Sequence, residues 1–384
     1  MIKEMFHKEE KKVEYIELIY DLIFVYIVGR NNSLLHSVSG GFIPFSTFGT
    51  YLLSTLVILQ VWYYSTLFIN RYGTNGLAEH LGLFVNMYLL YYMADGTRVA
   101  WQEYYLKYNI AWALILLNLA LQYYLKLRAG KGQMPWQDAH IKLNVTLLCI
   151  EAGIIFVSIP LFFVTGLPFA PLGMVFGIVM AIVFQNTHRL VSVDFPHLTE
   201  RVMLYVVFTF GEMIIAIAGY FESGFSFSSV YYSLMAFLIA AGLFLIYGFF
   251  YDHVIDRESK TTGTGYMMAH IFLVTALNNI TVALEFMRAP EVDLIKKNIF
   301  LTASFLLYFL FLFSLARYAK GCERLDLKFF GFVILFSALF VIGMAASYRV
   351  SQISIAITVL YIYTMLIYSM YHHKTCFNGS EARE

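Results

Sequence analysis

Twelve stretches of this chain are apolar over the roughly 20 residues that a helix needs to cross a bilayer. They run approximately over 14–36, 47–70, 77–95, 104–127, 141–164, 168–189, 199–220, 228–251, 264–286, 295–318, 327–347 and 352–371. With 60 % hydrophobic and only 13 % charged residues, the composition lies far from that of soluble globular domains. The expected fold class is therefore all-α: a polytopic transmembrane helix bundle of about twelve spans, with the lipid bilayer as its first partner.

A net charge of +1 argues against nucleic acid as a partner and against a strongly basic membrane-surface patch. The connections between segments are short, and none has room for a soluble domain. Cys149, Cys322 and Cys376 are widely spaced, so neither a disulfide framework nor a thiolate metal site is implied, and no cofactor is expected. Lys3, Lys8, Lys11 and Lys12 resemble the start of a signal peptide. The apolar segment after them is too long and too charged for a signal core and reads as a retained first span.

Lysine and arginine are unevenly divided between the two sets of loops. One side holds the N-terminal lysines, Lys126, Arg128, Lys131 and Lys142, and Arg317, Lys320, Arg324 and Lys328, among others; the other has only Arg98, Lys107, Arg288, Lys296, Lys297 and Arg349. The positive-inside rule places both termini in the cytoplasm, consistent with an even number of spans.

Internal similarity suggests duplication. His80 is followed fifteen residues later by Asp95, and His270 fifteen later by Glu285, both pairs offset by 190. Glu17 near the start of the first span faces Glu200 near the start of the seventh, and Lys107-Tyr-Asn-Ile resembles Lys297-Asn-Ile. Two parallel six-helix repeats, residues 1–190 and 191–384 of one membrane domain, are expected, with the substrate site between them.

Ionisable residues inside the spans are the candidates for function, because lipid tolerates them poorly. Glu17 and Asp21 are four apart and share one helical face, which must look toward other helices or trapped water. In the seventh span, His197, Glu200 and Arg201 lie at i, i+3 and i+4, Thr199 is a candidate N-cap, and Gly211 precedes Glu212 near mid-membrane, where desolvation favours a protonated carboxyl. Glu151 sits well inside the fifth apolar run. His-x-x-Glu is also a metal-ligand spacing, but such sites need an equivalent second helix and Glu17 has no histidine three before it, so no metal is expected. Asp95 and Arg98 read as a loop ion pair, Trp62 and Asn70-Arg71-Tyr72 as an aromatic belt with a polar stop, and Pro160, Pro168 and Pro171 as the turn into the sixth span.

Glu17, Asp21, His80, Glu200, Arg201 and His270 should all lie in the cytoplasmic half, with Glu212 deeper. They are expected to form a polar ligand or proton pathway between the halves, with His197, Glu151 and Glu285 as secondary candidates. An interhelical ion pair with a purely structural role would produce the same cluster.

These stretches resemble the low temperature requirement protein A family of bacterial membrane proteins. Glu17-Leu-Ile-Tyr-Asp-Leu-Ile-Phe-Val25 is similar to its L-E-L-F-F-D-L-V-F-V signature, and His197-Leu-Thr-Glu-Arg201 with Gly211-Glu212 to its H-x-x-E-R…G-E element. Asn70-Arg71-Tyr72, Tyr251-Asp252 and Tyr266…His270 fall where weaker family motifs are expected, so the resemblance covers most of 14–290. After Val25 the family tends to carry Gln and then His, whereas this chain has Arg30, Asn31 and Ser33. The resemblance implies a multi-pass protein of the bacterial cytoplasmic (inner) membrane with a loose link to growth in the cold.

The reading that best fits these features is a secondary transporter or permease for a small molecule or ion, able to couple to protons through buried carboxylates. No catalytic residues are assigned. A membrane-embedded enzyme acting on lipid and a non-catalytic sensor or assembly factor are the alternatives. An enzyme would converge a nucleophile and base at one leaflet, and a sensor would usually own a soluble output domain.

Overall fold

The computed structural model describes residues 11–95, 101–130, 134–222, 226–321 and 325–381. The expected Asp95–Arg98 pair, the basic residues Lys3, Lys8, Lys131 and Arg324, and Cys322 lie outside the described residues. Thirteen α-helices and no strand occur among the described residues. Hydrocarbon offers no partner to a peptide group, so each apolar segment satisfies its backbone internally.

Contacts gather the chain into two units. One comprises residues up to Leu34, Gly49–Tyr205 and Glu258–Gly265. It holds α1 (Tyr15–Asn31), most of α2 (Phe45–Tyr72), α3 (Leu77–Asp95), α4 (Trp101–Ala129), α5 (Pro135–Thr165), α6 (Pro171–Val183), the single turn α7 (Gln185–His188) and the start of α8 (Phe195–Glu222). Within it α3 packs on α1 and α4, and α5 on α4 and α6. The other comprises Leu35–Phe48, Val206–Arg257 and the chain from Tyr266 onward. It holds the rest of α8, then α9 (Phe227–Phe249), nearly all of α10 (Thr264–Arg288), α11 (Leu294–Ser314), α12 (Leu327–Ser347) and α13 (Ser351–Glu381). There α13 packs on α9, α11 and α12.

Each of the twelve apolar segments contains a helix. Nine helices among the described residues are long and apolar enough to cross a membrane; α1, α3 and α6 are not among them. Enclosure varies strongly. In α10, 89 % of the apolar window is buried and in α2 78 %, against 17 % in α12, whose leucines and isoleucines therefore face lipid.

The helix ends obey local chemistry. Asp293 and Asp326 accept backbone N–H groups at the starts of α11 and α12, and Ser226 does so for α9. Pro135 and Pro171 occupy the first positions of α5 and α6, where a missing N–H costs nothing. Two expectations are corrected here. Pro160 does not help end the fifth span; it lies inside α5, which runs on to Thr165 and stops at Gly166, because bundled membrane helices can re-satisfy the carbonyl that proline leaves unpaired. Nor does Thr199 cap α8: Asp194 does, its Oδ1 accepting the His197 N–H at 3.2 Å, while the Thr199 hydroxyl turns back to the Pro196 carbonyl.

Gly166 (φ 75°) and Gly263 (φ 72°) both hold left-handed backbone, and only the second is crowded. Nothing approaches a Cβ built on Gly166, whereas one on Gly263 runs into the Leu198 side chain, with Val193 close behind. Gly166→Ala is expected to cost only the backbone strain, about 1–2 kcal/mol. Gly263→Ala should cost clearly more. Thermal unfolding of both variants in the same detergent checks the order, and equal losses would refute it.

Candidate functional site

The first helix is inverted relative to a helix in water. Glu17 and Asp21 are 2 % and 0 % exposed, while Ile19 and Leu22 on the opposite face are about half exposed. The four-residue spacing places both carboxylates on the inner side. There they meet the first turns of α8, which carry His197 and Arg201, also buried.

Arg201 joins the two acids. Its Nε and Nη2 donate to the two oxygens of Asp21 at 2.9 and 2.7 Å, a bidentate pair, and its Nη1 lies 3.0 Å from Glu17 Oε2. Trp62 of α2 donates its indole N–H to Asp21 Oδ1 at 2.9 Å, and its ring lies against that of Tyr205, centroids 4.3 Å apart. Asp21 is thus held by three donors. Glu17 is held differently: Arg201 Nη1 approaches its Oε2 as an ion-pair partner and His197 Nε2 lies 3.4 Å from the same oxygen, neither in hydrogen-bond geometry.

Asn70 of α2 orients His197. Its Oδ1 accepts the Asp194 N–H at 2.9 Å, so its Nδ2 faces both the Asp194 carbonyl, at 2.8 Å, and His197 Nδ1, at 3.0 Å. Since an amide nitrogen can only donate, His197 Nδ1 accepts, and the ring proton sits on Nε2, toward Glu17. Further along α1, the Tyr20 hydroxyl shares a hydrogen bond with Ser65 and accepts one from Asn86 of α3, which in turn accepts one from Asn118 of α4. Three helices, α2, α3 and α4, are thereby stitched to α1 and α8.

Lys11 precedes α1 and belongs to the same arrangement. Its ammonium donates to the Ile69 and Gly73 carbonyls at the end of α2, a favourable place for a cation. Burial lowers its pKa, and the Glu17 carboxylate works in the opposite direction. Glu17 is therefore acted on by both Arg201 and Lys11.

The structure thus brings together Glu17, Asp21, Arg201 and His197. The other expected site residues lie elsewhere. His80 bonds the Asn75 side chain at 2.5 Å near the start of α3. Glu200 is half-buried, with no ion pair among the described residues. His270, on α10 in the other unit, donates from Nδ1 to the Tyr266 carbonyl at 2.9 Å and receives the Tyr247 hydroxyl at Nε2. Glu212 is half-buried in that unit, without a hydrogen bond or ion pair among the described residues. Glu285 pairs with His36 at 2.5 Å, and Glu151 is buried against Tyr64. Trp62 and Asn70, read from sequence as belt and polar stop, are instead partners of Asp21 and His197. The available signal was their eight-residue separation, which puts them within about 80° of one another around α2. Among the described residues no group of His, Cys, Asp and Glu could hold a metal ion.

Comparison with known proteins adds one match. The family model described as "Bacterial low temperature requirement A protein (LtrA)" matches residues 12–366. No curated protein and no solved structure matches the chain.

Two measurements test the geometry. Asp21→Asn preserves shape but leaves the buried Arg201 without its bidentate partner, which is expected to cost about 3–5 kcal/mol and appear as a large loss of thermal stability in detergent. Arg201→Lys should also be poorly tolerated, since an ammonium cannot span both carboxylates. The second concerns His36, just beyond α1. Its hydrogen bond to Glu285 raises its pKa, partly offset by burial. A raised folded-state pKa means that the stabilisation is complete below the ordinary histidine value of about 6.5 and is lost as pH rises through the higher one. Wild type should therefore unfold at a higher temperature than His36→Gln in mild acid, and the gap should close in alkaline buffer. A gap that widens with pH would contradict the pairing.

Proposed function

Because the chain belongs to the family of bacterial low temperature requirement A proteins, we propose that this integral membrane protein is a secondary transporter or permease that couples to protons through Glu17. The bilayer in question is the bacterial cytoplasmic membrane, with both termini inside, as the distribution of basic residues supports.

The observation that carries this reading is the unequal hold on two neighbouring acids. Asp21 has a bidentate guanidinium and an indole N–H; Glu17 has charge nearby and no completed hydrogen bond from Arg201 or His197. Protonating Asp21 would forfeit three bonds and strand Arg201. Protonating Glu17 forfeits far less, because Asp21 still neutralises the guanidinium. One acid is then the fixed counter-ion and the other the exchangeable one. His197, its Nε2–H turned toward Glu17 by Asn70, is placed to sense the change. Lys11 brings a further positive charge from outside the span, close enough to act on Glu17. The transported species is a small molecule or ion that these side chains do not identify.

The test uses purified full-length protein in liposomes with a pH-sensitive dye inside, challenged with a panel of small metabolites and monovalent cations. Wild type should show solute-dependent proton movement. Glu17→Gln should fold, as judged by thermal unfolding, and lose at least tenfold of that coupled flux. Coupled flux that survives Glu17→Gln would remove Glu17 from the mechanism. Turnover of vesicle lipid with no flux of any solute would replace a transporter with a lipid-acting enzyme.

A further inference from the structure

Another buried acid lies within the spans, outside the hydrogen bonds of the Arg201 network. Glu151, on α5, is 1 % exposed and has no ion-pair partner among the described residues. Its Oε2 accepts the Tyr64 hydroxyl at 3.0 Å, and Tyr64 in turn accepts Gln60 Nε2 at 2.8 Å. Its other oxygen, Oε1, is fully shielded and has no partner. A carboxylate so placed would be among the costliest groups in the chain.

Beside it lies a cavity of about 40 Å³, lined by Glu151, Tyr64, Tyr123, Asn144, His188 and Arg71, among others. That is room for a few water molecules, and the lining is polar enough to hold them. Gly177 of α6 keeps the acid's end open, since a Cβ there would collide with the Tyr64 hydroxyl, the Gln60 amide and the Glu151 carboxylate. Arg71 is seven residues beyond Tyr64 on α2, about 10 Å along the axis, so it lines the far end without neutralising Glu151. α2 finishes at Tyr72, so the Arg71 end of the cavity is the end nearer a membrane face. His188 stands there too, its Nδ1 3.0 Å from His140 Nε2, with Asn144 bonded to the His140 carbonyl. Tyr63 of α2 is the remaining titratable lining group.

We propose that Glu151 is a proton-binding site, reached from the membrane face at which α2 ends through a hydrated half-channel past Arg71, His188 and Asn144. On protonation the carboxylate turns an oxygen toward the cavity, an O–H bond forms there as one breaks on a cavity water, and that water is made whole by a proton relayed past Arg71; no electrons change hands. The positive charge of Arg71 at the mouth opposes a metal cation, which would have to pass it whole, more than a proton relayed from water to water. Glu151 shares no bond with the Arg201 network, so this inference stands even if Glu17 carries no protons.

Infrared difference spectra of the full chain in lipid vesicles, recorded while bulk pH is stepped, provide the test, because they read the carboxyl itself and not transport. Wild type should show a protonated-carboxyl C=O band that appears and disappears reversibly with pH. Glu151→Gln should remove that band, and Glu17→Gln should keep it. Tyr64→Phe, which deletes only the hydrogen bond to Oε2, should shift its frequency and decides the matter if Glu151→Gln does not fold. A pH-responsive band untouched by Glu151→Gln, no shift in Tyr64→Phe, or no pH response at all would overturn the proposal. So would displacement of the band by sodium at constant pH, which would make this a metal-cation site.

Discussion

Placing a guanidinium where Arg201 sits is costly, and most of the surrounding polar structure can be understood as what makes it tolerable. Desolvating each ion of such a group costs several kcal/mol even after relaxation, and mutual attraction repays that only with good geometry and no unmet hydrogen bonds. Asp21 supplies the geometry by gripping Arg201 bidentately, and Trp62 adds a third hydrogen bond to the carboxylate. The cost also dictates where α1 must turn. A helix with two acids on one face and isoleucine and leucine on the other can enter a bilayer only with its charged face inward.

That dependence explains how much could be read from the sequence. Glu17, Asp21 and Arg201 announce themselves, because charged groups in apolar runs must find one another and the four-residue spacing assigns the face. Helix positions were equally legible, since apolar length alone marks them. Rotation about each axis was not. His80 and Glu200 have depths set by helical rise, but rise says nothing of azimuth, and neither bonds the arginine; His270 and Glu212 belong to the other unit. His197 is in the cluster because Asn70 turns it there, and an asparagine near the end of a span looks the same in sequence whether it stops a helix or aims a histidine. Trp62 was hidden by the commonness of aromatic residues at membrane interfaces.

The two buried acids of α1 and α5 illustrate how environment divides labour between identical chemistries. Glu17 lies beside Arg201 and His197, in a site crowded with charge. Glu151 has one tyrosine and a small cavity with polar lining groups beside it. The first acid is surrounded by charged and ring nitrogen groups, while the second has only neutral hydrogen-bonding neighbours. A single chain thus presents acids with different neighbours, one set by the arrangement of α1 against α8, the other by the cavity that α2, α5 and α6 help to line.

The separation of 180 residues between Asp21 and Arg201 gives the pairing a temporal side. Synthesis at about 5–20 residues per second puts roughly 10–35 s between the emergence of the acids and that of the cation that neutralises them. During that interval α1 offers the membrane two carboxylates with no guanidinium to meet. Lys11 is the one cation of the cluster already made. Until α8 arrives the first helix has to wait at the bilayer's edge, enter with its acids protonated, or shelter in the insertion machinery, so the pairing that holds α1 in place cannot form before roughly half of the chain has been made.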